Sequence, residues 1–122
     1  MATILIIDDD DAFRTMLRRM LQKAGYQVID AANGDEGLRM YKENPADLVI
    51  TDIYMPEKEG VETIIELVRE FSDPKIIAIS GGGKTSDFRY LEYAKRMGAA
   101  RALKKPFRME LLLQSVQDVL AG

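Results

Sequence analysis

The side chains of this chain that could do chemistry stand at the ends of short apolar runs. "TILII" (3–7) leads into Asp8, Asp9, Asp10 and Asp11, and "DLVIT" (47–51) leads into Asp52. "KIIAI" (75–79) leads into Ser80 and "GGG", and "RALK" (101–104) leads into Lys105 and Pro106. Histidine and cysteine are absent. That excludes a Ser-His-Asp triad, a histidine base, thiolate chemistry, a disulfide framework and any His-ligated zinc or iron. Oxygen chemistry remains: carboxylates suited to a hard cation such as Mg²⁺, Mn²⁺ or Ca²⁺, a hydroxyl, and an ammonium.

Each of these residues has an ordinary explanation. Asp10 and Asp11 suit the start of a helix, as cap and as charge complement to its dipole. A serine at a strand end usually serves a turn, and most lysines are surface charges. Asp8 and Asp9 are redundant as caps. Converging with Asp52, they would repel one another, and a divalent cation bound by their oxygens would remove that cost. As a set the residues point to one site.

The elements that must bring them together are legible. The runs at 3–7, 47–51 and 75–79 are rich in Ile, Val and Leu without alternation, as expected of strands buried on both faces. "QVIDA" (27–31) and "RALK" complete five runs. Between them lie amphipathic stretches. Phe13, Met16, Leu17, Met20, Leu21 and Ala24 form one apolar stripe, stopped by Gly25. Ile64, Ile65, Val68 and Phe71 form another, and Met109, Leu112, Leu113, Val116, Val119 and Leu120 a third, all read as core packing. The helical pattern at 34–43 and 84–97 is weaker. Strand and helix alternating five times predicts an α/β doubly wound parallel sheet, with ligands at the carboxyl ends of its strands. With no linker, repeat or low-complexity segment, residues 1–122 read as a single domain.

Hydrophobic residues make up 47% of the chain and charged residues 30%, the balance of a globular protein. No apolar run approaches the roughly 18 residues of a membrane span. The N-terminus lacks the basic segment of a signal peptide, so a cytoplasmic setting and no membrane partner are expected. The net charge of −3 is unevenly spread. Residues 1–83 carry 9 basic and 16 acidic side chains, and residues 84–122 carry 8 basic and 4 acidic. The basic third is either a solvated face or a docking surface. No nucleic-acid partner is expected of a chain that is acidic overall.

In their order along the chain, Asp8-Asp9 after "ILII", "TDIYMP" with Asp52, Ser80 after "KIIAI", and "KPF" with Lys105 resemble the receiver domains of two-component response regulators. The resemblance covers residues 3–120. It implies a flavodoxin-like receiver fold with five helices and strand order 2-1-3-4-5. It also implies that Asp52 is the phosphoacceptor and that Ser80 and Lys105 contact the phosphoryl oxygens. Mg²⁺ would be bound by Asp9, by Asp8 through water, by Asp52 and by the backbone carbonyl of Tyr54. The Lys105–Pro106 bond would be cis. A carboxylate is a competent nucleophile for phosphoryl transfer, which needs alignment and charge neutralisation above all. Without a histidine of its own the chain needs an outside donor, a sensor histidine kinase or a histidine phosphotransfer protein. The output would pass to a downstream effector, or through self-association, at the surface of helix 84–97, strand 101–104 and the last helix. Tyr90 and Tyr93 would stand partly exposed there among Lys95, Arg96 and Arg101.

Two positions depart from the family pattern. Ala102 stands where the family usually has an aromatic residue or histidine, and Tyr54 is bulky for its place two residues after Asp52. Other readings compete. "GGGKT" (81–85) resembles the end of a P-loop, but Ala78 occupies the position of its first glycine. "ILIIDDDDA" resembles the motif of aspartate-nucleophile phosphatases of the haloacid dehalogenase type, which leaves Asp52 unexplained and lacks a later acidic pair. A receiver-like module that binds partners without phosphorylation is the third.

Overall fold

A computed structural model describes the backbone of residues 1–53, 60–80 and 88–122; for 60 and 88–91 it describes the backbone alone. The elements run β1 (Thr3–Ile7), α1 (Asp11–Lys23), β2 (Gln27–Ala31), α2 (Gly34–Glu43) and β3 (Leu48–Asp52). They continue with α3 (Gly60–Glu70), β4 (Ile76–Ser80), α4 (Phe88–Met97), β5 (Arg101–Lys104) and α5 (Met109–Ala121). All strand pairs are parallel, in the order β2-β1-β3-β4-β5. This is the doubly wound sheet expected from the alternation of elements, with the strand order that the resemblance implies.

The three central strands are almost wholly buried, which is why their sequences do not alternate. Their pleat still divides the core in two. Leu5, Ile7, Val49, Ile76 and Ala78 pack with Leu38, Tyr41, Ile64, Leu67 and Ala94 of α2, α3 and α4. Ile4, Ile6, Leu48, Ile50, Ile77 and Ile79 pack with Leu17, Leu21, Leu112 and Val116 of α1 and α5. The edge strands β2 and β5 are only partly buried.

Strands β3 and β4 sit one residue later than the apolar runs at 47–51 and 75–79. Asp47 stays outside the strand because it is committed elsewhere. Its N–H donates to the Thr3 carbonyl at 2.8 Å, and its carboxylate accepts the Thr3 N–H at 2.7 Å. The helix expected over 84–97 is described from Phe88; residues 84–87 lie outside the described residues.

Two large members of the expected core stripes are exposed, Met16 at 42% and Val68 at 41%. Each neighbours a buried leucine, Leu17 or Leu67, and a helix turns about 100° per residue. The buried seam of each helix is narrower than its apolar stripe. Ala24, also exposed, is the C-cap of α1. The cap is a Schellman turn: Tyr26 N–H donates to the Leu21 carbonyl at 3.1 Å and Gly25 N–H to that of Gln22 at 3.0 Å. Gly25 has φ +103°, so the stop expected there is conformational.

Gly37 answers a different need. It lies buried inside α2, where a Cβ would stand 2.7 Å from Cγ1 of Ile7, itself wholly buried in β1. Replacing a helical glycine by alanine ordinarily gains up to about 1 kcal/mol. Here the clash with a packed strand should dominate, since overpacking costs about 1–3 kcal/mol. Gly37→Ala should therefore lower the urea midpoint. A midpoint at or above that of the wild type would show that α2 can move off β1.

Candidate functional site

The chain leaves the sheet in the same direction at the end of each strand, so the carboxyl ends collect Asp8, Asp52, Ser80 and Lys105 at one edge. The pleat does the finer sorting. Ile6, Ile50 and Leu103 point to the α1/α5 side, and Asp8, Asp52 and Lys105 each follow two residues later. Their side chains consequently meet on that side.

Ligand atoms of Asp8, Asp9 and Asp52 lie within 4.8 Å of one another. Asp8 and Asp52 are buried and Asp9 is exposed. Lys105 Nζ stands 3.3 Å from Oδ2 of Asp8 and 3.5 Å from Oδ2 of Asp52. Phe13, on the first turn of α1, closes the other side, with its ring centroid 3.7 Å from the same Nζ. Phe107 packs edge-on against Phe13, with ring centroids 6.3 Å apart. The Lys105–Pro106 bond is cis, as expected.

Burial pushes the Asp8 carboxyl above the usual range, although the Asp10 N–H and the Lys105 ammonium both favour its charged form. The Asp10 N–H donates to Asp8 Oδ1 at 2.9 Å. Asp10 itself is the N-cap of α1, accepting the Phe13 N–H at 3.1 Å, and Asp11 lies in the first turn. The division expected along "DDDD" therefore holds: the last two aspartates serve the helix and the first two join Asp52.

Counted over Asp8, Asp9, Asp52 and Lys105 alone, three carboxylates meet one ammonium, a formal excess of two negative charges that matches the charge of one divalent cation. The spacing also suits Mg²⁺. An octahedral ion with oxygens at 2.0–2.1 Å spans about 4.2 Å across its shell, so carboxylates spread over 4.8 Å can reach it directly or through one water. The residues present thus fit a magnesium ion.

Ser80 is buried at the end of β4, and its carbonyl accepts the Lys105 N–H at 2.9 Å. This backbone bond ties the serine to the lysine. By strand parity the Ser80 side chain follows Ala78 and Ile76 on the α2–α4 side, unlike the other members of the set. Tyr54, whose carbonyl is expected at the metal, and the Gly81–Gly83 loop lie outside the described residues.

Two site neighbours escape a reading by pattern. Phe13 belongs to the apolar stripe of α1 and does pack against the core, but it also faces the Lys105 ammonium. Its place two residues after the acidic run was the available signal. Arg14 donates to the Asp8 backbone carbonyl at 2.7 Å, a contact that no spacing rule could reveal.

Comparison with known proteins agrees with this geometry. The family model described as the response regulator receiver domain matches residues 4–117. Protein PilH of Pseudomonas aeruginosa is 35% identical over 122 residues, covering all of both chains. The sensor kinase CckA of Brucella abortus is 36% identical over 98% of this chain, which spans only 12% of that kinase. Among solved structures, response regulator protein TrrA of Thermotoga maritima, in complex with Mg²⁺-BeF, superposes with a TM-score of 0.86. It is 31% identical, over 98% of this chain and 99% of that one. The chain belongs to the response regulator receiver domain family, a signalling domain of two-component systems.

Proposed function

We propose that residues 1–122 form one receiver domain that accepts a phosphoryl group on Asp52 and changes conformation to pass the signal on. An Asp52 carboxylate oxygen attacks the phosphorus of a phosphohistidine on another molecule. The P–N bond breaks and the imidazole leaves with its electron pair. The domain assists its own phosphorylation and dephosphorylation, and is otherwise no enzyme. The observation that carries this reading is the placement of Lys105 Nζ at 3.3 and 3.5 Å from two carboxylates of a three-carboxylate cluster at the strand ends.

Burial at the tip of β3 holds Asp52 in place, and a donor would approach it from the carboxyl ends of the strands. Lys105 would contact a phosphoryl oxygen and offset its charge, and Ser80 would bond a second. Asp8, Asp9, Asp52 and the Tyr54 carbonyl would hold Mg²⁺, which when bound neutralises the charge of the transferred group. TrrA, a relative with a Mg²⁺-BeF complex, supports that assignment. The donor is a sensor histidine kinase or a histidine phosphotransfer protein. No helix among the described residues is long and apolar enough to cross a membrane. With no cysteine in the chain, that is consistent with the cytoplasmic setting we assign.

The output face we assign to α4, β5 and α5. Tyr93 is 47% exposed there, beside the exposed Lys95, Arg96 and Arg101. The Tyr90 side chain lies outside the described residues. Arg101 is tied to Asp118 at 3.4 Å, which makes Arg96 the cleaner probe.

Incubation with a small phosphodonor and Mg²⁺ should add one phosphoryl group to the intact mass, and Asp52→Ala should abolish the gain. The same gain in Asp52→Ala would move the nucleophile elsewhere. No gain in the wild type would favour a binding module that is not phosphorylated.

Mg²⁺ should raise the melting temperature of the wild type, by linkage worth about 2.7 kcal/mol at a hundredfold excess over Kd. Asp8→Asn should lose most of that rise. It removes a buried charge from a cluster of like charges, so in a chelator it should melt no lower than the wild type. An equal Mg²⁺ response in Asp8→Asn would remove Asp8 from the ligand set.

Arg96→Glu should weaken partner binding or self-association a few-fold, mainly through the on-rate and most clearly at low salt. Unchanged association kinetics at low salt would place the output face elsewhere.

A further inference from the structure

Asp9 is the exposed member of the acidic cluster, and among the described residues nothing bonds its carboxylate. Its position must come from its backbone. Two planar peptide groups flank it, and each is held by one hydrogen bond. The Asp9–Asp10 peptide is held through its N–H, which donates to Asp8 Oδ1 at 2.9 Å. The Asp8–Asp9 peptide is held through its carbonyl, which accepts from Arg14 Nη1 at 2.7 Å.

Arg14 is itself over-determined. Its Nε donates to Asp30 Oδ2 at 3.0 Å and its Nη2 to Asp11 Oδ1 at 2.6 Å, and the side chain is only 16% exposed. Three partners on three segments fix one planar fork: the β1–α1 loop, the end of β2 and the start of α1. Asp30 is braced in turn by Arg18 Nη1 at 2.9 Å. A lysine cannot reproduce this, because its ammonium is a single point on a flexible stem.

We propose that Arg14 is a positioning residue for metal binding, acting through the Asp8 carbonyl to orient the exposed carboxylate of Asp9. Resting on the reading of Asp8, Asp9 and Asp52 as the Mg²⁺ site, this adds a residue that touches neither the metal nor the phosphoryl group. Residues that orient metal ligands typically alter affinity by 10–100-fold when replaced.

The test compares the wild type with Arg14→Lys and Arg18→Lys by Mg²⁺ titration, and by exchange of the Asp10 amide in a chelator. Arg14→Lys keeps the charge and loses the fork. It should bind Mg²⁺ at least about tenfold more weakly, and its Asp10 amide should exchange faster with no metal present. Arg18→Lys, which loosens Asp30 alone, should change neither. Wild-type affinity in Arg14→Lys, or an equal loss in Arg18→Lys, would overturn the inference and leave the reading of the site intact. If Arg14→Lys does not fold, Asp30→Ala, which removes the acceptor of Arg14 Nε altogether rather than loosening it, must weaken Mg²⁺ binding; unchanged affinity there also overturns it. A wild-type protein that takes no Mg²⁺ would overturn the reading of the site and this inference with it.

Discussion

Like charges held close together at the edge of a hydrophobic sheet are the constraint on which this molecule turns. Two buried carboxylates within 4.8 Å of each other repel by roughly 3–4 kcal/mol at an effective dielectric of 20. Fully burying one isoleucine or leucine gains about 1.5–3 kcal/mol. The central strands contribute many such residues, so the fold can carry the repulsion without an ion. The same repulsion makes the site receptive. Among these four residues one ammonium faces three carboxylates, an arrangement that favours added positive charge.

Rigidity is the second requirement, and the parallel sheet supplies it. Asp8 and Asp52 end adjacent strands whose residues on both faces are buried, so neither can relax away from the other without disturbing the core. Lys105 comes from the far edge strand and is held at both ends. Its N–H bonds to Ser80, and its ammonium lies between two carboxylates and the face of Phe13. A cation over an aromatic ring in a partly buried setting gains about 0.5–2 kcal/mol. Phe13 therefore joins the core to the site.

The acidic run shows how neighbouring residues of one type take separate work. Asp10 satisfies a free N–H at the helix start, and Asp11 pairs with Arg14. Asp8 points inward and gives one oxygen to the Asp10 N–H and the other to Lys105. Asp9 alone faces solvent among the three cluster members. The turn from β1 into α1 makes these assignments, because each successive residue leaves the strand in a different direction.

The fold class and most of the site were legible in the sequence. Unbroken apolar runs at three strands predicted burial on both faces, and the placement of Asp8, Asp52 and Lys105 at run ends predicted their convergence. The capping role of Asp10 and the stop at Gly25 followed from local rules, since caps are decided within a few residues. The start of β3 slipped by one because Asp47 is drawn out of it by bonds to Thr3, a partner distant in sequence. Met16 and Val68 read as core and are exposed, because how wide a face a helix buries depends on the neighbours packed against it. Which side of the sheet each side chain takes, the meeting of Phe13 with Lys105 and the grip of Arg14 on the Asp8 carbonyl came only from the tertiary structure. A sequence records which side chains exist and in what period. Contacts between a backbone carbonyl and a guanidinium, or between a ring and an ammonium 92 residues further along the chain, depend on where the packed sheet puts them.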